Sequence, residues 1–329
     1  MTRVTPAFTW RVLWLWIAVF EYGCTTITLS NSCNVPPGTV GEAGRWAMVR
    51  AGSRATCGVD LSQKPNRLRC WGYDSDGLSY SKIFPQEGYP LTEGPPLSLD
   101  VGIEHVCILD SKGSPICWGY QGQIEVAPGP WTALDLDGVA SPGIGLCALD
   151  LDSKPHCFGD GLWKPVLQVP DVALRSISLE RSYACGISEE GKLYCWGYPM
   201  YNLDAEFVAV PEPYGERIDV GDSITCVRTP DARGVCWGEL KDNPWNVGAD
   251  VAEIVGSAFA VCVIFTDGRL KCDQMGRWKG HASPVVDNAP SIRGLHGLSC
   301  GDHHCCATMK SGLPICWGAR GALQTIFPQ

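Results

Sequence analysis

The sequence predicts an all-β chain folded as a seven-bladed β-propeller, and three observations predict it. The tripeptide Cys-Trp-Gly, or a degenerate form of it, recurs seven times. Each copy has a partner cysteine upstream, ten residues away in six of the seven. A glycine stands at one fixed offset between partners in four copies, where a tight β-hairpin needs it.

The copies are Cys70-Trp71-Gly72, Cys117-Trp118-Gly119, Cys157-Phe158-Gly159, Cys195-Trp196-Gly197, Cys236-Trp237-Gly238, Cys272-Asp273-Gln274 and Cys316-Trp317-Gly318, spaced 36 to 47 residues apart. The pairs are Cys57/Cys70, Cys107/Cys117, Cys147/Cys157, Cys185/Cys195, Cys226/Cys236, Cys262/Cys272 and Cys306/Cys316. Chance placement of the cysteines gives about one pair at a separation of ten, so six is a periodic signal. The first pair is three residues wider, which fits an insertion in its turn over residues 61–66.

Gly113, Gly191, Gly268 and Gly312 each lie six residues after the first cysteine of a pair. A three-residue hairpin loop, a type I turn closed by a left-handed residue, wants glycine there. Folding 107–117 about that loop sets the two cysteines opposite each other at a non-hydrogen-bonded site, close enough to bridge. The next residue, usually Trp, falls on the other strand face and is expected between neighbouring blades. A short apolar stretch precedes each hairpin, as at residues 46–52, 97–102 and 217–221, so the unit is three or four strands in about 40 residues. Residues 81–86 and 324–329 share Ile-Phe-Pro-Gln, which suggests that the tail completes an end blade.

Eighteen cysteines among 329 residues admit a disulfide framework or metal sites. The wide dominant spacing favours disulfides and an oxidising compartment, and no cofactor or metal is expected. The net charge of −9, with no Lys/Arg run, argues against a nucleic-acid partner. Arg3 and Arg11 precede an apolar run at 12–20 that is short for a membrane span but suits the core of a signal peptide. Gly23-Cys24 resembles a lipoprotein lipobox, although Glu21 and Tyr22 depart from it. Cys24 is therefore a lipidation candidate, with ordinary cleavage or a short uncleaved anchor as the alternatives. Residues 1–23 read as a signal peptide or short anchor, 24–44 as a flexible tether rich in Thr, Ser, Pro and Gly, and 45–329 as the propeller. Localisation is expected to be extracytoplasmic, secreted or held at the cell envelope, with membrane contact only through the N-terminal anchor or lipid.

The pattern Gly-x2-His-x-Cys-x5-Gly-x3-Cys-Trp-Gly, at residues 102–119 and 301–318, resembles the repeat of the regulator of chromosome condensation family. It looks most like exported bacterial members whose repeats carry paired cysteines. The resemblance covers residues 45–329 and implies a seven-bladed propeller with a central channel. Its eukaryotic founder binds chromatin and exchanges nucleotide on a small GTPase, and a related bacterial propeller inhibits β-lactamase through loops on one face. This chain is acidic and has no long inserted segment to act as an exchange wedge, which puts that activity in doubt here. The sixth repeat departs from the pattern at Asp273-Gln274.

Candidate chemistry is sparse. Neither a G-x-S-x-G elbow nor a phosphate-binding G-x-x-x-x-G-K-[ST] occurs. Asp74/Asp76 and Asp135/Asp137 precede glycines and read as turn formers rather than calcium ligands. The run Cys300-Gly-Asp-His303-His304-Cys305-Cys306 could ligate a metal by residue type, but His304 matches His105 in repeat register and Cys306 belongs to a repeat pair. Cys33, Cys300 and Cys305 remain outside the pairs, and a bridge from Cys33 to Cys300 or Cys305 would fasten the tether to the last blade. Six residues past each second cysteine stand Asp76, Gln123, Trp163, Tyr201, Asp242, Trp278 and Ala322. Its aromatics Trp163, Tyr201 and Trp278, with Trp245 as a further loop candidate, are the predicted binding residues; sealing of each loop onto its blade is the alternative. The functional reading is a non-catalytic scaffold for a protein or glycan partner. The alternatives are an enzyme at the channel mouth, such as a hydrolase or lyase acting on envelope polymers, and a purely structural envelope protein.

Overall fold

The computed structural model describes residues 44–53, 55–72, 88–92, 94–102, 105–119, 122–136, 145–159, 162, 164–180, 183–197, 215–221, 224–238, 245–257, 260–274 and 283–318. They form seven antiparallel sheets, each built from consecutive strands. Blade 1 holds β1 (Trp46–Ala51), β2 (Ala55–Asp60), β3 (Asn66–Gly72) and β4 (Tyr89–Leu91). Blade 2 holds β5 (Ser98–Val101), β6 (Val106–Leu109), β7 (Pro115–Gly119) and β8 (Gly122–Ile124). Blade 3 follows with β9 (Ala133–Leu136), β10 (Leu146–Leu149) and β11 (Pro155–Phe158), and blade 4 with β12 (Leu174–Glu180), β13 (Tyr183–Ser188) and β14 (Leu193–Gly197). Blade 5 has β15 (Arg217–Gly221), β16 (Ile224–Arg228), β17 (Gly234–Gly238) and β18 (Trp245–Gly248). Blade 6 has β19 (Val251–Gly256), β20 (Ala260–Phe265) and β21 (Leu270–Gln274), and blade 7 has β22 (Leu295–Cys300), β23 (His304–Met309) and β24 (Pro314–Gly318).

The first strands contact one another in the cyclic order β1, β5, β9, β12, β15, β19, β22 and back to β1. The chain is therefore a seven-bladed β-propeller whose ring closes by packing blade 1 against blade 7. At that seam Gly44 N–H donates to Gly312 O at 3.2 Å and Ala51 N–H to Ser299 Oγ at 3.0 Å. Gly301 is required there, because a Cβ would stand 1.7 Å from Gly52 O. The expected contribution of residues 324–329 lies outside the described residues.

Each blade is stapled. All seven repeat pairs are disulfides, with Cα–Cα distances of 4.0 to 4.2 Å, as a non-hydrogen-bonded pair requires. The hairpin turn has the expected geometry: Gly113 N–H donates to Asp110 O and Asp110 N–H to Ser114 O, and Gly113, Gly191, Gly268 and Gly312 have φ between +76° and +86°. Ser153 and Ala232 fill the same turn position in blades 3 and 5 with φ of 61° and 58°.

The core is divided among the seven blade junctions. The cysteine face of one blade packs on the tryptophan face of the next, as Cys57 with Trp118, Cys147 with Trp196, and Cys306 and Cys316 with Trp71. Trp317 is fully buried, and Trp71, Trp118 and Trp196 are buried. Blades 3 and 6, the two degenerate copies, carry one helical turn after their third strand: a 3-10 turn (Lys164–Leu167) and α1 (Pro284–Asp287). From these turns Val166 O and Val285 O accept the indole N–H of Trp196 and Trp317 in the following blades, at 3.0 and 3.1 Å. The connecting turn thus satisfies the polar atom of a buried ring. Among the described residues no helix is long and apolar enough to cross a membrane.

Candidate functional site in the central channel

The first strands enclose a cavity of about 470 Å³ on the ring axis, lined by residues from all seven blades. Its wall is polar because each first strand turns one side-chain position toward the next blade. Asp100 Oδ2 accepts Leu136 N–H at 2.6 Å, Asp135 Oδ2 accepts Leu179 N–H at 2.6 Å, and Ser178 Oγ accepts Val220 N–H at 3.0 Å. Asp219 Oδ2 accepts Gly256 N–H at 2.7 Å, and Ser299 Oγ accepts Ala51 N–H. Blade 6 has Val255 at this position; Glu253, two residues earlier, accepts Gly297 and Leu298 N–H instead, at 2.9 and 2.7 Å. Arg50 occupies the position in blade 1 and has no acceptor to offer. Among the described residues six of the seven junctions therefore carry such a side-chain clamp on the neighbouring backbone.

The clamps bring three carboxyls to one small space. Burial pushes Asp135 well above the ordinary carboxylate range; the charge of Asp100 adds to this, and the two carboxyls hydrogen-bond each other. Burial also raises Asp219 to about 7, against the stabilising Gly256 N–H and with help from the charge of Asp100. Asp135, raised by burial, and Asp219, titrating near neutrality, can donate or accept protons, and the three carboxyls together can hold a cationic group. Further polar contacts join neighbouring blades. His304 Nε2 is 2.7 Å from Thr56 Oγ1 across the blade 7–blade 1 seam, and Tyr183 O–H reaches Gly221 O and Thr225 Oγ1 across blades 4 and 5. Burial, and secondarily the charge of His303, lowers His304 to about 3, so its ring is neutral. Ser53 bonds to Asp302 at the seam.

The structure corrects three expectations. Asp135 is not a turn former: it sits in β9 with its carboxylate on the channel wall. A strand position that must cap a neighbour's N–H favours the same short acceptor that a turn does, so residue type alone does not separate them. Cys300 and Cys305 are bonded to each other, Cα–Cα 4.0 Å, which excludes a bridge from either to Cys33. They are paired across the first turn of blade 7, so each is the other's nearest partner. Trp245 is not in a loop: it begins β18, the outermost strand of blade 5, opposite Cys236. Gln123 likewise lies in the outermost strand β8, opposite Trp118. Trp163, Tyr201 and Trp278, with Cys24, Cys33, Asp74, Asp76 and Asp137, lie outside the described residues.

The channel residues escaped sequence reading although a signal exists. Arg50, Asp100, Ser178, Asp219, Val255 and Ser299 all stand seven residues before the first cysteine of their pair, while Asp135 stands twelve before because its loop is longer. Reading the repeat upstream from the cysteine exposes the ring.

No protein-family model matches the chain. Among solved structures it is similar to the CRINKLY WD40 ectodomain of the Arabidopsis thaliana receptor kinase ACR4, at TM-score 0.59 and 18% identity over 83% of this chain and 95% of that one. It is similar to the ectodomain of the Physcomitrella patens receptor kinase CR4, at TM-score 0.57 and 20% identity over 81% and 76% of the two chains. It is also similar to Prp20p of Saccharomyces cerevisiae, a structure described together with binding to Gsp1p and histones, at TM-score 0.56 and 14% identity over 75% and 80%. At these identities the likeness establishes the propeller fold alone.

Proposed function

We propose that the chain is an extracytoplasmic, non-catalytic binding scaffold that presents propeller loops to a protein or glycan partner. The observation that carries this reading is the arrangement of the ring. Eight disulfides among the described residues and a clamp at six junctions make a rigid platform suited to an oxidising compartment, and the carboxyls that converge on the channel accept backbone N–H groups in holding it. Two of the similar propellers are ectodomains and the third is described with protein ligands, which supports the same reading. The N-terminal 44 residues serve as export segment and tether, with Cys24 as the lipid-bearing residue, and the repeats are of the exported, paired-cysteine kind. Trp163, Tyr201 and Trp278 supply rigid aromatic contacts at the blade rims. The test is the triple variant Trp163→Ala/Tyr201→Ala/Trp278→Ala, compared with wild type in crosslinking to the native surface fraction and on a glycan array. Loss of the partner with an unchanged melting temperature is the expected result; full retention of binding refutes the patch.

A second reading, an enzyme at the channel mouth acting on an envelope polymer, is favoured by the Asp100–Asp135 pair and by Asp219 near neutrality. Asp135→Asn keeps the clamp acceptor and removes the acid. Polymer-degrading activity in wild type that this variant lacks would establish the enzyme.

A further inference from the structure

Blade 7 carries one disulfide more than the repeat calls for, and it faces another. Cys305 is on the tryptophan face of β23, opposite in direction to Cys306, and points at the cysteine face of blade 6. Its Sγ lies 3.9 Å from Sγ of Cys262, and the sulfurs of Cys262, Cys300 and Cys305 all lie within 4.8 Å of one another. The fourth sulfur, Cys272, is bonded to Cys262. Strands β20, β22 and β23 thus each bring one sulfur to a single point between two blades, and β21 holds the fourth at the other end of the Cys262 bridge. At every other junction the repeat brings two.

Tetrahedral zinc with four thiolates has Zn–S distances of about 2.3 Å, which puts the sulfurs about 3.8 Å apart. The Cys262–Cys305 separation already meets that edge. Breaking the two S–S bonds frees all four side chains to rotate: the bonded pairs open toward that edge, and Cys272, outside the 4.8 Å group, swings in to join it. The surroundings suit a soft, dry site: Cys262, Cys272 and Cys305 are buried among Ile264, Leu298 and Trp317. We propose that Cys262, Cys272, Cys300 and Cys305 form a zinc site in the reduced protein, and that oxidation converts it to the two stacked disulfides. Each bridge is opened by one dithiol, which gives two electrons and two protons and leaves as its own disulfide; zinc then displaces the four thiol protons. Every newly made chain carries these four groups as thiols, before any bridge forms.

The full chain, oxidised and fully reduced with a phosphine under nitrogen, is incubated with Zn²⁺, desalted against a weak chelator, and read by metal analysis and native mass spectrometry. The reduced chain is expected to retain one zinc and to shield these four cysteines from alkylation; the oxidised chain retains none. Cys300→Ser and Cys305→Ser should each lose the zinc, whereas Cys107→Ser/Cys117→Ser in blade 2 should keep it. Should the fully reduced chain unfold, partially reduced species are resolved by mass, and zinc must ride only on those with both bridges open. No zinc on any reduced species, or zinc unaffected by Cys300→Ser, overturns the proposal.

Discussion

At the scale of a residue, the hairpin turn shows how one backbone angle decides a side chain. Four blades place glycine at the left-handed turn position, while blades 3 and 5 place Ser153 and Ala232 there with positive φ. An L-residue in that region is disfavoured by roughly 1–2 kcal/mol, whereas glycine loses about 0.5–1 kcal/mol more backbone entropy on folding. The first effect exceeds the second. Ala232 offers no side-chain hydrogen bond to offset it, and its backbone bonds, Ala232 N–H to Thr229 O and Val251 N–H to Ala232 O, are open to glycine as well. Ala232→Gly is therefore expected to stabilise the chain by about 0.5–1 kcal/mol. Equal or lower stability in denaturant titration would show that the turn is not strained. Asp60 makes a contrasting case. Its burial opposes ionisation, but hydrogen bonds from Arg45 and Ser62 outweigh burial and hold the carboxyl below its ordinary range. Asp135, buried without a cation, moves the other way.

At the scale of an element, the first strand of each blade does two jobs with alternate side chains: one face joins the core and the other clamps the next blade. Ser178 is the clearest clamp, because the Val220 N–H it accepts is buried. Ser178→Ala orphans that donor and is expected to cost about 1–3 kcal/mol. Ser178→Asp, the residue blades 2, 3 and 5 use, should recover the loss at low pH only, since it adds another carboxyl to an already acidic wall. A neutral result for Ser178→Ala in thermal unfolding would show that water replaces the clamp. This division of labour also explains what the sequence reveals. The hairpins were legible because the cysteine spacing, the left-handed glycine and the alternation of Cys and Trp are all set within about ten residues. The clamps join strands some 36 to 45 residues apart, and their acceptors are Asp and Ser, the types turns also use. Burial of Trp317 followed from pattern, whereas its indole partner at Val285 depends on a one-turn helix that no periodicity announces. The Cys300–Cys305 bridge was missed because it falls outside the period.

At the scale of the whole molecule, the ring closes around like charges, and its stability must depend on pH. Asp219 titrates near 7 when folded and near 3.8 as a free group. Its raised value means that the folded state holds the proton more tightly, so its contribution is fully present below pH 4, fades as pH rises, and is gone above about pH 7. Asp135 acts in the same direction. His304 acts oppositely: with a folded value of about 3 against 6.5, it favours folding above pH 6.5 and withdraws that support as pH falls toward 3. Ionised Asp60 likewise loses its contribution in acid. The charged groups around Asp219 on the wall are Asp100, Asp135, Glu180 and Asp302, with Arg50 the one cation among the lining residues. Asp219→Asn separates these effects. The amide oxygen still accepts Gly256 N–H, the carboxylate charge is gone, and His304 and Asp60 are unchanged in the comparison. The variant should match wild type at pH 4 and exceed it by about 1–2 kcal/mol at pH 8, after screening by channel water. The difference should grow between pH 4 and 7 and then level off. A difference independent of pH would mean that Asp219 is ionised throughout, and that the channel is wet enough to leave three carboxylates charged side by side.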